Sequence, residues 1–488
     1  MTIRPNLLKR LLTKATLSGV ALAAAATLLF GGGSASATET GINVAGFFGT
    51  AAQNAQLESL VGELHPGWVR VFLNWGQVEP AQGTYTTSQL ASYHAFFAAL
   101  PAGTKVDIDV VGSPPWANGG SSNTATPPTN DKYFSAFMNY IANTFGTTVS
   151  AYEIWNEEDS TSWWTGSPAQ YASLLEAAYP AIKAADPAAI VMLGGLGANN
   201  YPYLAQLYAA GVKGSFDAVG VHNDDACSLA SPYSFGFAPG TQEISQWSFL
   251  GFSTVHDVMV ANGDGAKSIY LSEFGWSTTS STCSGGTSAG KKPGGVSEQT
   301  QATYLQQAYH CLAQPQYSYV AAAMWFDMVD FAPQNVFYNR YGLLSTALKP
   351  KPAFNAFREI ATAGDKLSGT CGNFAGPTLH LITPTNGERY SGRLLVRVSA
   401  KANGGAVAQI ALQHDGHSIM NFNRIDAHYA HGTLTGSINW EGGGSLAAGP
   451  HTITVIATNA HGVKSTESVT VFHVVSHKHK KHKSTRHG

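Results

Sequence analysis

The run Ala151-Tyr152-Glu153-Ile154-Trp155-Asn156-Glu157-Glu158-Asp159 reads as a short apolar strand that stops on an Asn-Glu pair. A second run of the same design, Ile269-Tyr270-Leu271-Ser272-Glu273-Phe274-Gly275-Trp276, lies further along the chain. Each is a buried-type strand with one carboxylate at its C-terminal end. Outward from these two, short apolar runs alternate with helical patterns from Gly41 onward. The strand candidates are 42–47, 68–73, 105–111, 150–155, 190–193, 216–221, 268–272 and 319–325. Helical patterns cover 131–145, 168–185, 203–210, 243–260, 298–313 and 352–363. Ser167-Pro168 and Ser297-Glu298 mark two helix starts.

Eight strand-then-helix units spread over about 320 residues predict an α/β fold, a (β/α)8 TIM barrel whose working residues sit at the strand C-termini. An open doubly wound sheet would instead bind its ligand where strand order reverses, leaving chemistry at so many strand ends unexplained. Long Gly/Ser/Pro/Asn-rich inserts, 113–130 and 277–295, follow the third and seventh strands, on the face where barrel sites lie. After 364–376 the pattern changes to period two, in runs 378–383, 394–400, 407–414, 433–440, 451–459 and 465–474. Turn signals such as Asn386-Gly387 and Asp415-Gly416 separate them, which predicts a small all-β immunoglobulin-like sandwich without cysteines.

The expected division is therefore a secretory signal peptide (1–37), a barrel (38–366), a linker (367–376), a sandwich (377–475) and a disordered His/Lys-rich tail (476–488). The leader reading rests on a basic segment, an apolar run from Ala15 to Phe30 and the small-residue site Ala35-Ser36-Ala37. That run is shorter than the ~20 residues a membrane span needs, so no stable span is expected. The tail either clings to an anionic cell-surface polymer, binds metal through His473, His477, His479 and His482, or is a solvated charged segment.

Only 12% of the 488 residues are charged, while 44% are hydrophobic and 11% aromatic. The formal charge of −2 includes four positive side chains in the leader and five in the tail, so the folded body is more acidic than it looks. That argues against a nucleic-acid partner. Four cysteines in an exported chain allow three pairings. Cys227 and Cys283 each fall just after a predicted strand end, in successive loops, which pairs them and leaves Cys311 with Cys371.

Two carboxylates gathered at a barrel mouth suit cleavage of a glycosidic bond, where one gives a proton to the leaving oxygen and the other faces the opposite side of the sugar. The acid must be kept protonated by burial or a neighbouring charge; the nucleophile needs hydrogen bonds that keep it ionised. The Trp-Asn-Glu and Ser-Glu-Phe-Gly-Trp runs resemble the clan A retaining glycoside hydrolases, near the β-xylosidase, iduronidase, exopolysaccharide hydrolase and cellulase-like branches. The resemblance covers about residues 41–365. It implies Glu157 as acid/base, Glu273 as nucleophile, Asn156 as a ligand of the sugar 2-hydroxyl, Arg70 as the support of the nucleophile and Trp325 at the end of the eighth strand. It also implies no cofactor and no metal. The pattern departs at Asp224, where relatives carry a Tyr two residues after His222.

Trp75, Trp116, Trp276 and Trp325 either pack in the core or stack on sugar rings near the mouth, Trp163-Trp164 suit a further subsite, and His222 is either a satisfied core histidine or a contact of sugar or nucleophile. Glu158 and Asp159 read as a solvated loop or helix start, Glu153 as lying on the same strand face as Trp155, and Asp107 and Asp109 as structural carboxylates inside the barrel. Gly194 to Gly197 reads as a tight turn. The expected protein is a secreted monomer acting on a poly- or oligosaccharide, with the sandwich as a spacer or polymer anchor. A transglycosylase using the same residues and a non-catalytic glycan-binding protein are the alternatives.

Overall fold

The computed structural model describes residues 38–475 except 46–49, 225–226, 240, 242, 285–287, 334, 365–366, 368–370, 372–376, 402–406, 424–427, 431–432, 441–445 and 460–463. The leader, the tail and most of the linker thus lie outside the described residues. Eight parallel strands close a barrel in sequence order: β1 (Glu39–Asn43), β2 (Trp68–Asn74), β3 (Lys105–Val111), β4 (Ala151–Asn156), β5 (Ile190–Leu196), β6 (Ala218–Asp224), β7 (Ser268–Gly275) and β8 (Val320–Trp325). Pairing of Gly41 with Met324 and of Ile42 with Trp325 completes the ring.

Several helices form where the sequence puts both a cap and an apolar stripe. Ser167 opens the helix Pro168–Ala185 with a capping box closed by Gln170, and the Ser297 side chain accepts from Thr300 N–H to open Glu298–Leu312. Two helices, Ala51–Leu64 and Thr87–Ala99, add to those read from the sequence. The expected 243–260 helix is shorter, Phe252–Ala261, preceded by turns through the Ser-rich stretch 245–248. No described helix is long and apolar enough to cross a membrane.

Outward-facing strand residues pack with the helices into one large core. Inward-facing ones form two tiers. Near the strand starts, Trp68, Ala151, Met192, Ala218, Tyr270, Ala322 and Met324 make a separate apolar cluster. Above it the inward residues are polar, and among them are Asn43, Arg70, Asp107, Asp109, Glu153 and His222, all buried. The barrel is a packed core at one end and a site at the other, as the fold dictates.

Beyond the barrel come β9 (Thr378–Thr383), β10 (Arg389–Tyr390), β11 (Leu394–Lys401), β12 (Val407–His414), β13 (His417–Asn423), β14 (His428–Ala430), β15 (Thr433–Trp440), β16 (Gly449–Asn459) and β17 (Lys464–His473). They form one sheet in the order β10-β17-β16-β12-β13 and another in the order β14-β15-β11-β9. Alternating residues from the two sheets, among them Val396, Val398, Ile410, Leu412, Val455 and Val471, fill the space between. The hairpin strand β13, which the period-two reading passed over, follows directly from the Asp415-Gly416 turn, with Asp415 at φ 44° and Gly416 at φ 79°. Cys227 is joined to Cys283, and Cys311 to Cys371.

Gly194 to Gly197 is not a tight turn, because β5 runs on through Leu196. Its glycines make room for neighbours. A Cβ on Gly195 would lie 2.0 Å from His222 Nε2 and 2.3 Å from its Cδ2. Gly195→Ala therefore overpacks a rigid strand and is expected to cost about 1–3 kcal/mol. Gly62→Ala, in the helix Ala51–Leu64 with nothing within 4 Å, is expected to stabilise the chain by about 0.4–1 kcal/mol. Urea unfolding of the two variants should show shifts of opposite sign.

Candidate active site

Arg70, on β2, is the hub of the polar tier. Its Nε donates to Glu153 Oε2 at 2.6 Å, one terminal nitrogen to Asn43 Oδ1 at 2.9 Å and Glu273 Oε1 at 2.6 Å, and the other to Asp109 Oδ2 at 2.8 Å and Asn156 Oδ1 at 3.1 Å. Burial works against the charge, but Glu153, Glu273, Asp109 and Asp107 together hold its pKa well above the ordinary value. The surrounding carboxyls respond in turn. Burial pushes Asp107 and Asp109 well up, with Glu153 adding to the rise and Arg70 opposing it. Both Asp107 oxygens and Oδ1 of Asp109 lack hydrogen-bond partners. Both residues lie inside the barrel, as their alternation on β3 predicts.

Glu273 reaches this hub through an irregularity in β7. Tyr270 belongs to the inner apolar tier and Leu271 to the outer core. Ser272 then faces in, its hydroxyl donating to Glu153 Oε1 at 2.8 Å, yet the next residue, Glu273, faces in as well. The register against β6 steps from Val221–Leu271 to His222–Glu273, skipping Ser272. A bulge of this kind re-aims one side chain without ending the strand.

His222 stands between the two glutamates of the sequence motifs. Its Nδ1 lies 3.2 Å from Glu157 Oε1 and 3.7 Å from Glu273 Oε2. Sharing one nitrogen keeps the two carboxylates close, below most of the roughly 6.5–9.5 Å spread of inverting pairs and compatible with the ~5–5.5 Å of retaining ones. Burial disfavours the imidazolium, but Glu273 and the hydrogen bond to Glu157 outweigh it and push the pKa up to about 10. Burial likewise pushes the Glu273 carboxyl up, while the His222 and Arg70 charges pull it back and Glu157 adds to the rise. The Glu157 side chain is 25% exposed and that of Glu273 only 7%, so Glu157 is the one open to the mouth.

The end of β4 breaks simple alternation. Trp155 has φ 71° and Glu157 φ 43°. The turn at Trp155 sends its ring outward against Trp164 and Phe134, with Nε1 donating to Trp163 O at 2.7 Å, and leaves Asn156 inward at Arg70. Glu153 therefore faces the barrel interior and Trp155 does not, which corrects the shared face read from the sequence. Glu158 and Asp159 are not solvated either. Glu158 is 2% exposed with neither oxygen hydrogen-bonded, and burial pushes its carboxyl well up. Asp159 fastens the loop after β5, accepting from Gly197 N–H at 3.1 Å and from Asn200 Nδ2 at 2.7 Å.

Three of the candidate sugar-stacking tryptophans have no accessible surface. Trp75 packs on Phe134 and Phe137 and donates to Glu79 Oε2 at 2.7 Å. Trp276 donates to Ala230 O at 2.9 Å, and Trp325 to Tyr341 O at 3.0 Å. All three belong to the outer core, the default for a large ring on the helix side of a strand. Trp116 is partly exposed, on the loop after β3. The accessible aromatics on the inner side are ones the sequence reading missed. Phe72 lies under the Arg70 guanidinium at 4.7 Å and parallel to Trp163, with ring centroids 6.0 Å apart. Half-buried Phe326 follows Trp325, in step with the inward Ala322 and Met324. Asn43, Ser272 and Asp327 were missed too; Asn43 Nδ2 donates to Ser272 O at 2.8 Å. The alternation of Trp68, Arg70 and Phe72 along β2 would have found the phenylalanine. The Asp224 side chain lies outside the described residues.

The comparisons agree with this architecture. The profile described as Cellulase (glycosyl hydrolase family 5) matches residues 34–326, more than half of the chain, and a bacterial Ig domain profile matches 377–455. Among solved structures, a family 39 glycoside hydrolase from the gut symbiont Bacteroides cellulosilyticus WH2 is similar at TM-score 0.55 and 19% identity, over 83% of this chain and 80% of that one. GH5_18 from Streptomyces cattleya in complex with GlcNAc is similar at TM-score 0.50 and 14% identity, over 68% and 81%. At such identities these two establish the shared barrel fold alone. No curated protein matches the sequence. On the family match, the chain belongs to the cellulase family, glycosyl hydrolase family 5, and is a glycosidase.

Proposed function

We propose that the chain is a secreted, retaining hydrolase of β-linked poly- or oligosaccharides, with Glu157 as acid/base and Glu273 as nucleophile. The observation that carries this reading is the shared His222 nitrogen, which keeps the two carboxyls close enough to flank one anomeric carbon. Glu157, open to the mouth, gives its proton to the glycosidic oxygen as the C–O bond breaks. Glu273, held by Arg70, bonds to the anomeric carbon from the other face. Glu157, now a carboxylate, takes a proton from water, whose oxygen displaces Glu273 and releases the sugar with its configuration kept. Asn156 turns its oxygen to Arg70, leaving its amide N–H groups as donors for a sugar hydroxyl. Phe72, Trp163, Trp116 and Phe326 offer apolar faces for the rings. Two disulfides and the leader-like N-terminus support export. Residues 38–366 and 377–475 are read as the catalytic and accessory modules.

Loss of general acid catalysis costs roughly 10²–10⁴-fold, so Glu157→Ala should drop turnover of unactivated glycans by that order. On a dinitrophenyl β-glycoside, whose leaving group needs no proton, azide should restore Glu157→Ala and give the β-glycosyl azide. Glu273→Ala with azide should give the α-azide. Wild-type turnover in Glu273→Ala would refute the assignment. A second expectation follows from charge. Glu273 attacks as a carboxylate, and the His222 charge favours that form. Neutral His222→Gln removes this help, raising the Glu273 pKa further. The acidic limb of kcat/KM against pH should therefore move to higher pH in this variant.

A further inference from the structure

We propose that the tip of the β12–β13 hairpin is a divalent-metal site of the Zn2+ type, with His414 Nε2, His451 Nδ1 and Asp415 Oδ2 as its ligands. This rests on the sandwich alone and is independent of the glycosidase reading. Among the described residues these three groups converge within 4.8 Å as a possible metal-holding set. His414 Nε2 is 3.0 Å from Asp415 Oδ2 and 3.1 Å from His451 Nδ1, and His451 Nδ1 is 2.8 Å from the same oxygen. A tetrahedral ion with bonds of ~2.0–2.1 Å sets neighbouring ligand atoms about 3.3 Å apart, so the triangle needs to open by only a few tenths of an ångström.

What surrounds the triangle suits a bound cation. His451 Nε2 lies 2.9 Å from the Ala447 carbonyl. A carbonyl can only accept, so that nitrogen carries the hydrogen, and a neutral His451 turns the lone pair of Nδ1 toward Asp415. Lone pair would then face carboxylate at 2.8 Å, an arrangement that either a proton on Nδ1 or a bound cation relieves. A ring N–H given to a backbone carbonyl is also how metal-bound imidazoles are commonly oriented. Asp415 is fixed from its other side, because Oδ1 accepts from Thr452 N–H at 2.7 Å, which leaves Oδ2 for the histidines. The His414 ring is held by Trp440 of the opposite sheet, at 4.8 Å between centroids. Two imidazoles and a carboxylate suit Zn2+ rather than Mg2+ or Ca2+, which prefer oxygen. The half-exposed Asp415 side leaves the fourth position to water.

The test needs a full-length chain in which His477, His479, His482 and His487 are replaced by Ser, since the tail would otherwise compete for the ion. Titration calorimetry with ZnCl2 should then show one ion per chain. His451→Ala should abolish it. Asp415→Asn keeps the left-handed turn and the Thr452 acceptor, and should weaken binding at least tenfold while circular dichroism stays unchanged. No zinc heat in the tail-substituted chain, or uptake by the His451→Ala and Asp415→Asn variants undiminished from that chain, would overturn the proposal and leave a proton-linked cluster only.

Discussion

The guanidinium of Arg70 is the constraint on which the polar half of the barrel depends. It is sealed from water and shared among Glu153, Glu273 and Asp109, with Asp107 at 4.0 Å. A lone buried charge is prohibitive, and removing one partner of a buried pair typically costs ~3–5 kcal/mol. Here the partners sit on β3, β4 and β7, so one side chain ties the strands that carry the chemistry to β2. The planar fork matters as much as the charge, because a lysine cannot present donors in three directions within one plane. Under the proposed mechanism stabilisation and catalysis draw on the same contacts, since the bond that compensates the arginine also holds Glu273.

The two tiers inside the barrel divide labour. Lower positions are apolar and fill space; upper positions are largely polar and gather round Arg70, although both Asp107 oxygens and Asp109 Oδ1 are left without partners. The small residues serve the large ones. Gly195 is absent of a side chain because the His222 ring occupies its place, and Gly220 leaves room for Glu153 Oε1, which a Cβ would meet at 2.5 Å. His222 in turn gives the two glutamates a common neighbour, so a backbone position on β5 bears on the charge of a residue on β7.

Much of this was legible in the sequence. Eight apolar runs separated by capped helices gave the barrel order, and the strand-end glutamates with Arg70 pointed to the residues that now meet. The disulfide partners followed from loop order. What was not legible came from departures from strict alternation. Trp155 leaves the inner face because of its positive φ, the Ser272 bulge brings Glu273 in beside an already inward serine, and Trp325 lies one residue before the aromatic that continues the inner row. Nearness to the strand ends assigned the tryptophans to the mouth; the strands instead place Phe72 and Phe326 on the inner side. Glu158 looked solvated because it follows a strand end, yet its carboxylate lies against Gly194 of β5, where a Cβ would come within 2.6 Å of Oε2. Such burial depends on contacts far apart in the chain and leaves no local signal.

The apolar lower tier has a further consequence. Trp68, Met192, Tyr270 and Met324 close the floor of the barrel, which leaves the mouth as the open end of the polar tier. The charge on Asp107 and Asp109 is therefore balanced by Arg70 and His222 rather than by bulk water, and whatever enters at the mouth meets that internal balance first.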